Sequence, residues 1–315
     1  MREPPIAVTN PAVLQTLRDG WELNVAEIEH LPWGFGSWHW AASDGQRRRW
    51  FVTADELDYA GRAEELEMTY AAALALHAGG LGFVVPCIPS TNGRITLPLN
   101  GLALSITEWV EGTPAGGELV GEAAEQTSQM VRLLHDTTPP PQVLVWDDQL
   151  RWRNDLERLD ALLEQNWSSG PFAAAAQTAL RAHRAELPDW LARFEERAGQ
   201  ALERRDTWVT THGEPGLHNQ LVTPAGRRMV DWESMRVAPR ERDLTDLVKT
   251  GGWSSPRCPE PDPAMLELFD LSWRLNEIGA YMDWFRAPHI GTEDDRIALD
   301  GLVEELDRSD WIVTG

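Results

Sequence analysis

The stretch TWVTTHGEPGLHNQLVTPAGRRMVDWES, residues 207–234, places two histidines, an asparagine and three carboxylates around one short turn. Its tetrapeptide TPAG has Pro at the second and Gly at the fourth position, which is typical of a β-turn between two strands. Two registers are open: one pairs Asn219 with Asp231, and a register one residue tighter pairs Asn219 with Val230. The stretch therefore predicts a hairpin whose two ends bring Asn219 and Asp231 close together.

Three side chains of this stretch have the chemistry of a metal and proton-transfer site. The carboxylate of Asp231 and the amide oxygen of Asn219 are hard ligands that suit Mg²⁺, which takes one or two protein carboxylates and completes its shell with phosphate oxygens. Glu214 precedes Asn219 by five residues, and its carboxylate can accept a proton from a hydroxyl. The spacing therefore predicts a magnesium site beside a general base.

Two other interpretations of the same residues are open. His212, His218 and Asp231 offer two imidazoles and a carboxylate, the ligand types of a zinc hydrolase, although a separation of six positions between the histidines is not a recognised ligand spacing. The other is an ordinary hairpin with polar ends, in which Asn219 and Asp231 bind no metal. His212 and His218 then serve only as hydrogen-bonding groups of a loop.

The net charge limits the classes of partner. The chain has 28 Lys and Arg against 50 Asp and Glu, a formal net charge of -22. Residues 251–315 contribute 5 basic and 14 acidic side chains to this balance. Such a field repels phosphate backbones and anionic lipids and concentrates cationic small molecules. We therefore expect no nucleic-acid or membrane partner and a small-molecule substrate that is cationic.

Apolar runs and cysteines bear on the compartment. The longest apolar runs, such as that at 70–78, are much shorter than a membrane span, and the N-terminus lacks the apolar region of a signal peptide. Cys87 and Cys258 form no CxxC pair and are too few for a disulfide framework, so we expect two buried thiols. These features predict a cytoplasmic protein.

The first third of the chain has the pattern of a small α+β lobe. Asn10, Pro11 and Gly20 bound a leading helix. Two strands follow, Trp38 to Ala42 and Arg49 to Thr53, and then a helix over 61–78. Three strand-like runs complete the lobe, at 82–88, 94–99 and 102–110.

The remainder of the chain is predominantly helical. We predict helices over 118–136, 151–166, 171–201, 239–250 and 263–286. With 315 residues and 42% hydrophobic content, the chain is long enough for two domains. The pattern predicts an N-lobe at 1–110, a hinge near 107–117 and a larger helical C-lobe at 111–315.

The spacing of the opening stretch also resembles a known family. His212-Gly213-Glu214, four intervening residues, Asn219, a hairpin and Asp231-Trp232-Glu233 together resemble the catalytic loop and metal-binding segment of aminoglycoside phosphotransferases and related small-molecule kinases. The segment APRERDL at 238–244 is similar to the same family, near its spectinomycin-kinase branch. The resemblance implies a two-lobed protein-kinase-like α+β fold.

The resemblance also implies roles for individual residues. Glu214 stands at the position of the catalytic base, His212 braces the loop, and Asn219 and Asp231 hold Mg²⁺. The loop over the nucleotide phosphates corresponds to Gly34, Phe35, Gly36 and Ser37. Thr53 stands at the position of the nucleotide-binding lysine, and the backbone of Glu108, Trp109 and Val110 meets the nucleobase.

Two departures from the family pattern matter for activity. The base position has Glu where the family usually has Asp, and Thr53 replaces the lysine that pairs the phosphates. The glutamates of the following helix, Glu64, Glu65 and Glu67, consequently have no evident partner in the sequence. A non-catalytic kinase-like fold that binds a small ligand or a protein partner is therefore the alternative function.

The resemblance predicts a phosphotransferase that uses ATP or GTP with Mg²⁺. Its substrate is expected to be a small hydroxylated cation such as an aminoglycoside-type antibiotic, which would make the protein an antibiotic-resistance enzyme. The candidate substrate contacts are Glu233 and, on the long helix at 263–286, Glu277 and Asp283.

Overall fold

The computed structural model describes residues 1–5, 8–34, 36–253 and 260–308. The chain divides into two compact units, Met1–Val145 with Val209–Ser254, and Trp146–Trp208 with Ser255–Gly315. The first unit therefore contains both the predicted nucleotide-loop residues and the predicted catalytic segment. The sequence predicted a boundary between an N-lobe and a C-lobe at residue 110. These two units do not correspond to those lobes, so that boundary stays a prediction.

The first unit is built on a five-stranded antiparallel sheet in the order β1-β2-β3-β5-β4. Its strands are β1 (Val25–Leu31), β2 (Trp38–Asp44), β3 (Arg49–Glu56), β4 (Leu97–Leu99) and β5 (Leu102–Glu108). Two helices belong to the same region, α1 (Asn10–Trp21) and α2 (Arg62–Ala78). These bounds confirm three predicted elements: the leading helix, the helix at 61–78 and the strand at 102–110.

Side chains of β3 alternate between two faces, as the pleat of a strand requires. Trp50, Val52 and Ala54 are buried in one apolar cluster with residues of α1. Thr53 and Asp55 point to the opposite face, where the Asp55 carboxylate accepts a hydrogen bond from Tyr70 of α2. The polar face of β3 is therefore the one that carries the candidate site.

Three sequence predictions in this region are wrong in detail. The strand β1 was not predicted, and the run at 94–99 is a strand only over β4. The run at 82–88 forms isolated bridges, from Val84 to Met229 and from Cys87 to Thr107, rather than a strand. Pro86, which has no N–H to donate, interrupts any continuous ladder there.

The predicted catalytic segment lies on short strands of the first unit. β6 (Thr113–Pro114) pairs with β8 (Gln220–Thr223), which pairs with β9 (Gly226–Met229), while β7 (Val209–Thr211) pairs with β10 (Arg236–Ala238). The helix predicted at 118–136 is α3 (Gly121–His135). These strands bring the loop after β7 and the end of β9 together.

The hairpin of β8 and β9 has the tighter of its two possible registers. Thr223 pairs with Gly226, and the Val230 N–H donates to the Asn219 carbonyl at 3.0 Å. A two-residue turn causes this register, since Gly226 follows Pro224 and Ala225 with a φ of 104° that glycine adopts without strain. Asn219 therefore pairs with Val230, and Asp231 is the next residue beyond the ladder.

The second unit is helical in the part of it that the structure describes. Its helices are α4 (Arg153–Glu157), α5 (Leu159–Leu163), α6 (Ala173–His183), α7 (Leu187–Leu202), α9 (Pro263–Arg286) and α10 (Glu293–Asp307), while α8 (Thr245–Lys249) belongs to the first unit. The helix predicted at 171–201 divides into α6 and α7, because Pro188 suits only the first turn of a helix. The helix predicted at 151–166 divides at Arg158, and α10 was not predicted.

The region 239–250 is a 3₁₀ turn over Arg240–Asp243 followed by α8, rather than one helix. Cys87 is buried as expected, while Cys258 lies outside the described residues. Within the described ranges, no helix is both long enough and apolar enough to cross a membrane.

Candidate active site

His212 follows β7 and is completely buried. Its Nε2–H donates to the Val230 carbonyl at 3.0 Å, and its Nδ1 accepts from the Glu214 N–H at 3.2 Å. Burial lowers the pKa of His212, which keeps the imidazole neutral. With both ring nitrogens occupied, His212 braces the loop against the hairpin and has no lone pair left for zinc.

Asp243, on the segment noted at 238–244, fixes the backbone of the same loop. Its carboxylate accepts the N–H of His212 at 3.0 Å and that of Gly213 at 2.7 Å, and His135 Nε2 lies 2.9 Å away. Burial alone would raise the pKa of Asp243, but the hydrogen bonds from His135 and Gly213 hold it below its usual value. Sequence reasoning noted the segment and missed the role of this residue.

Gly213 has a φ of 104°, and an added Cβ would lie 2.6 Å from the guanidinium of Arg242. Arg242 itself donates to Thr211 Oγ1 at 3.1 Å, and burial lowers its pKa to about 10. The loop therefore requires glycine at this position for two reasons, its left-handed backbone and the close approach of an arginine.

Asn219 joins the base candidate to the hairpin. Its Nδ2 donates to the Glu214 carbonyl at 3.0 Å and to Glu214 Oε2 at 3.3 Å. Burial alone would raise the pKa of Glu214, but the His218 imidazole, 3.7 Å from Oε2, and the bond from Asn219 hold it below its usual value. Glu214 is therefore ionised at neutral pH, and no described group donates to Asn219 Oδ1.

Asp231 is an exposed residue at the end of the hairpin, with a left-handed φ of 65°. No group in the described ranges donates a hydrogen bond to its carboxylate. Partial loss of hydration, followed by the charges of Glu233, Glu214 and Asp55, raises the pKa of Asp231 well above the usual value. Its surroundings therefore favour either a proton or a cation at this carboxylate.

Asp55 on β3 is a site residue that sequence reasoning missed. It is buried, and its carboxylate accepts from Ser37 Oγ at 2.8 Å and from the Tyr70 hydroxyl at 2.9 Å. Burial raises the pKa of Asp55. The signal was present in the alternation of β3, which puts Asp55 on the face of Thr53.

A network of ion pairs connects α2 to the segment after Asp231. Arg62 pairs with Glu233 and, at 3.0 Å, with Glu65, and Arg236 also pairs with Glu65. Burial and the charge of Asp55 raise the pKa of Glu233 to about 7. Glu233, a candidate substrate contact, is therefore engaged by an arginine of the first unit.

Of the three α2 glutamates without an evident partner in the sequence, Glu65 and Glu67 have partners in the structure. Glu65 pairs with the two arginines just named. The Glu67 carboxylate accepts the N–H groups of Ile95 and Thr96, each at 2.8 Å. Arg62 lies only three residues before Glu65 on α2, whereas Arg236, Ile95 and Thr96 come from distant parts of the chain, which sequence spacing does not reveal.

The predicted phosphate loop precedes β2. Gly34 and Gly36 have positive φ values of 72° and 93°, Ser37 is tied to Asp55, and Phe35 lies outside the described residues. Thr53 Oγ1 lies 3.3 Å from His39 Nδ1. The loop and Thr53 therefore lie along one edge of the β3 face that Asp55 occupies.

The predicted nucleobase segment follows β5 and adjoins an aromatic cluster. Trp109 has its ring centroid 6.3 Å from those of Phe51 and Trp33, and the Arg49 guanidinium lies 3.6 Å above its ring. The backbone N–H of Trp109 donates to the Arg49 carbonyl at 3.1 Å. Aromatic surface therefore adjoins Glu108 and Val110, the flanking residues of the segment.

Glu277 and Asp283, the remaining candidate substrate contacts, are on α9 of the second unit. Asp283 is exposed, and Glu277 is partly buried beside the Tyr281 hydroxyl. Burial, followed by the charge of Glu277, raises the pKa of Tyr281. Their role in substrate binding stays a prediction.

A zinc centre has no support in the geometry. Nowhere in 1–5, 8–34, 36–253 and 260–308 do three His, Cys, Asp or Glu side chains come together as a possible metal site. His212 is occupied at both nitrogens, and His218 has an exposed side chain beside Glu214. A Mg²⁺ site of one carboxylate and one amide oxygen does not need such a cluster.

Known proteins share the fold. Protein StrN of Streptomyces griseus is 27% identical over 295 residues, which cover 89% of this chain and 85% of that protein. The structure of spectinomycin phosphotransferase with ADP and spectinomycin has a TM-score of 0.74 at 14% identity, over 97% of this chain and 96% of that one. Amicoumacin kinase in complex with AMP-PNP, Ca²⁺ and Ami has a TM-score of 0.58 at 13% identity, over 98% of this chain and 96% of that one. The predicted kinase-like α+β fold is confirmed by these structures.

Residues 27–281 match the model of the phosphotransferase enzyme family. The match includes Gly34 to Ser37, the whole catalytic segment and α9 as far as Tyr281. Membership supports phosphoryl transfer as the activity of this chain. The chain belongs to the phosphotransferase enzyme family.

Proposed function

We propose that the protein is a Mg²⁺-dependent kinase that transfers the γ-phosphoryl group of ATP or GTP to a hydroxyl of a small cationic compound. The observation that carries the proposal is the Asp231 carboxylate, which is exposed, accepts no hydrogen bond among the described residues and feels the negative charges of Glu233, Glu214 and Asp55. Such a carboxylate favours a proton or a cation, and we propose the cation.

The residues present fit Mg²⁺. Asp231 supplies a carboxylate, and Asn219 supplies Oδ1 because its amide nitrogen is already directed to Glu214. One or two such protein ligands suffice when phosphate oxygens complete the shell. When bound, Mg²⁺ supplies positive charge against the phosphate oxygens.

Glu214 acts on the substrate hydroxyl. Its ionised carboxylate orients the hydroxyl and takes its proton as the phosphoryl group is transferred. Asn219 holds that carboxylate, while His212 and Asp243 hold the backbone on either side of Gly213. The chain therefore fixes the base from both directions, which preserves the alignment that phosphoryl transfer requires.

The nucleotide lies along the polar face of β3. Gly34, Gly36 and Ser37 cover its phosphates, and the nucleobase meets the backbone of Glu108 and Val110 beside the cluster of Phe51, Trp33 and Trp109. Aromatic rings adapt to adenine and guanine alike, because every base has a π face. Both ATP and GTP are therefore candidate donors.

The substrate is proposed to be an aminoglycoside-type antibiotic, and its phosphorylation in the cytoplasm to confer resistance. The similar proteins named above include kinases bound to spectinomycin and to amicoumacin. Acidic side chains suit a basic compound. Glu233 is the proposed contact within the first unit, while the roles of Glu277 and Asp283 on α9 stay sequence predictions. The excess of 14 acidic over 5 basic residues in 251–315 favours the same class.

The test is nucleotide binding and turnover in Asp231→Asn, with Glu122→Gln on the exposed surface of α3 as the matched control. ADP should raise the melting temperature of the wild-type protein more with Mg²⁺ than without it. Asp231→Asn should lose this Mg²⁺ increment and at least a hundredfold of turnover, whereas Glu122→Gln keeps both. Undiminished turnover in Asp231→Asn would show that the metal assignment is wrong.

Thr53 favours a second candidate, a kinase-like module that binds its ligand without catalysis. The same experiment separates the two candidates. A wild-type protein that binds nucleotide but transfers no phosphoryl group to any of a panel of basic antibiotics supports the binding module.

A further inference from the structure

The β3 position that the family resemblance gives to a lysine has no cation. Thr53 stands there, and its hydroxyl lies 3.3 Å from His39 Nδ1. Burial lowers the pKa of His39 to about 4, so its imidazole is neutral at pH 7. Neither residue can supply the positive charge that a lysine would bring to a phosphate.

The carboxylates of the site make a cation necessary. Asp55, Glu233 and Glu214 each act electrostatically on Asp231. A nucleoside triphosphate brings further negative charge to this face, and repulsion between unscreened charges a few ångströms apart is strong inside a protein. A fixed side-chain cation near these carboxylates would offset that repulsion.

Arg62, the first residue of α2, is the cation in this place. Its Nη1 lies 3.0 Å from Glu65 Oε1, and its Nη2 pairs with Glu233, two residues beyond Asp231. Its charge also acts on Asp55, which holds Ser37 of the phosphate loop, and on Asp231 itself. Arg62 therefore joins α2 to the segment that follows Asp231, and its charge reaches Asp55 beside the phosphate loop.

The other arginines near the site are committed elsewhere. Arg49 stacks on Trp109 and pairs with Glu111. Arg236 donates to the carbonyls of Glu233 and Met235 in addition to Glu65. Arg242 is buried beneath Gly213.

Arg62 also retains access for a ligand. Its side chain is 15% exposed and its partner Glu233 is 30% exposed. Burial alone would lower the pKa of Arg62, but Glu233 and its other anionic neighbours raise it, so the guanidinium stays charged. A guanidinium has five N–H donors, which allows it to bind a phosphate while it keeps a carboxylate.

We propose that Arg62 binds the phosphates of the nucleoside di- or triphosphate and thereby replaces the absent β3 lysine. The proposal rests on the proposed function, since it assigns the phosphate contact of the same nucleotide site. Glu65 of α2 orients the guanidinium, and the phosphate shares it with Glu233 or displaces Glu233.

The test compares ADP with adenosine, because only ADP has phosphates. Arg62→Ala and the less disruptive Arg62→Gln should each weaken ADP binding by about tenfold or more, the scale of one charge-assisted phosphate contact. Adenosine affinity should be unchanged in both variants. Arg94→Ala is the matched control, since Arg94 pairs with Glu67 of the same helix and should alter neither affinity.

A rescue adds a second readout. Thr53→Lys introduced into Arg62→Gln restores a cation on the same face of β3 and should recover ADP affinity and turnover in part. Equal loss of ADP and adenosine binding, or no loss of ADP binding, would overturn the role of Arg62. A wild-type protein that binds neither ligand would refute the nucleotide site itself, which distinguishes failure of the proposed function from failure of this inference.

Discussion

Glu214 shows how one extra methylene can be accommodated at the position proposed for the catalytic base. Its carboxylate does not project freely from the loop but accepts a hydrogen bond from Asn219 at 3.3 Å. The Glu214 N–H is meanwhile held by His212 at 3.2 Å. The longer side chain is therefore fixed at its backbone and at its tip, which favours an adapted base over a decayed one.

Substitutions at position 214 test this interpretation. Glu214→Asp withdraws the carboxylate from Asn219 and from the substrate hydroxyl, so kcat should fall, and Glu214→Ala should lose on the order of a hundredfold or more. The measurement is kcat at saturating substrate, with the melting-temperature shift caused by ADP as the control for nucleotide binding. A gain of activity in Glu214→Asp would instead identify Glu214 as a defect, and equal rates for all three residues would end its role as a base.

Single residues of the site could be predicted from spacing only where they lie close together in the chain. Glu214, Asn219 and Asp231 fall within one loop and one hairpin, so turn chemistry alone relates them. Asp55 and Arg62 reach the site through β3 and α2, and their contacts depend on how separate elements pack. No local pattern reports such contacts.

Backbone geometry decides two positions in the elements around the site. Gly213 in the catalytic loop and Gly226 in the hairpin turn share a φ of 104°. They differ in their surroundings, because an added Cβ meets Arg242 at 2.6 Å in the first case and nothing within 4 Å in the second. A comparison of substitutions at Gly213 and Gly226 therefore separates the cost of backbone strain from that of steric overlap.

Alanine at these two glycines should have unequal effects. Gly226→Ala should cost about 1–2 kcal/mol of unfolding free energy from the left-handed backbone alone. Gly213→Ala should cost about 1–3 kcal/mol more, because Arg242 must move, and should lower kcat at temperatures where the protein stays folded. Urea unfolding measures both energies, and equal losses in the two variants would contradict the contact with Arg242.

Element boundaries were predictable where the local signal was strong. Pro11 and Gly20 delimit α1 closely, and the TPAG turn predicted the hairpin while leaving its register to the structure. The run at 82–88 is apolar enough for a strand but makes single bridges to two different partners. Strand propensity cannot distinguish a continuous strand from single bridges, since both bury the same side chains.

At the scale of the whole molecule, the many carboxylates matter most where they are buried, because a buried charge without a partner is costly. Glu267 of α9 is buried and bonded by two arginines of α7, Arg193 and Arg197, the latter at 2.7 Å. Burial alone would raise the pKa of Glu267, but these hydrogen bonds hold it below its usual value. Ionised Glu267 therefore stabilises the second unit.

The contribution of Glu267 should depend on pH in a defined direction. Because the folded pKa is lowered, the stabilisation is complete above the unfolded value of about 4.3 and is lost as the pH falls through the folded value. Glu267→Gln should cost about 1–3 kcal/mol at pH 7, toward the low end because both arginines are partly exposed. Glu196→Gln, which alters an exposed partner of Arg197, is the control.

Urea unfolding at pH 7 and again below pH 4 checks the sign. The difference between wild type and Glu267→Gln should shrink on acidification. A difference that stays constant would mean that packing, rather than charge, accounts for the effect.

The first unit is discontinuous in the chain, which leaves it after Val145 and rejoins it at Val209. The Val85 N–H and the Val237 N–H find their acceptors, Met229 and Leu144, only across this interruption. A ribosome that adds about 5–20 residues per second needs roughly 3 to 13 seconds for the intervening segment. The nascent chain thus exposes its five-stranded sheet well before Glu214, Asn219 and Asp231 have been synthesised, so a premature stop within that interval would release a fragment with the proposed phosphate loop and without the proposed catalytic residues.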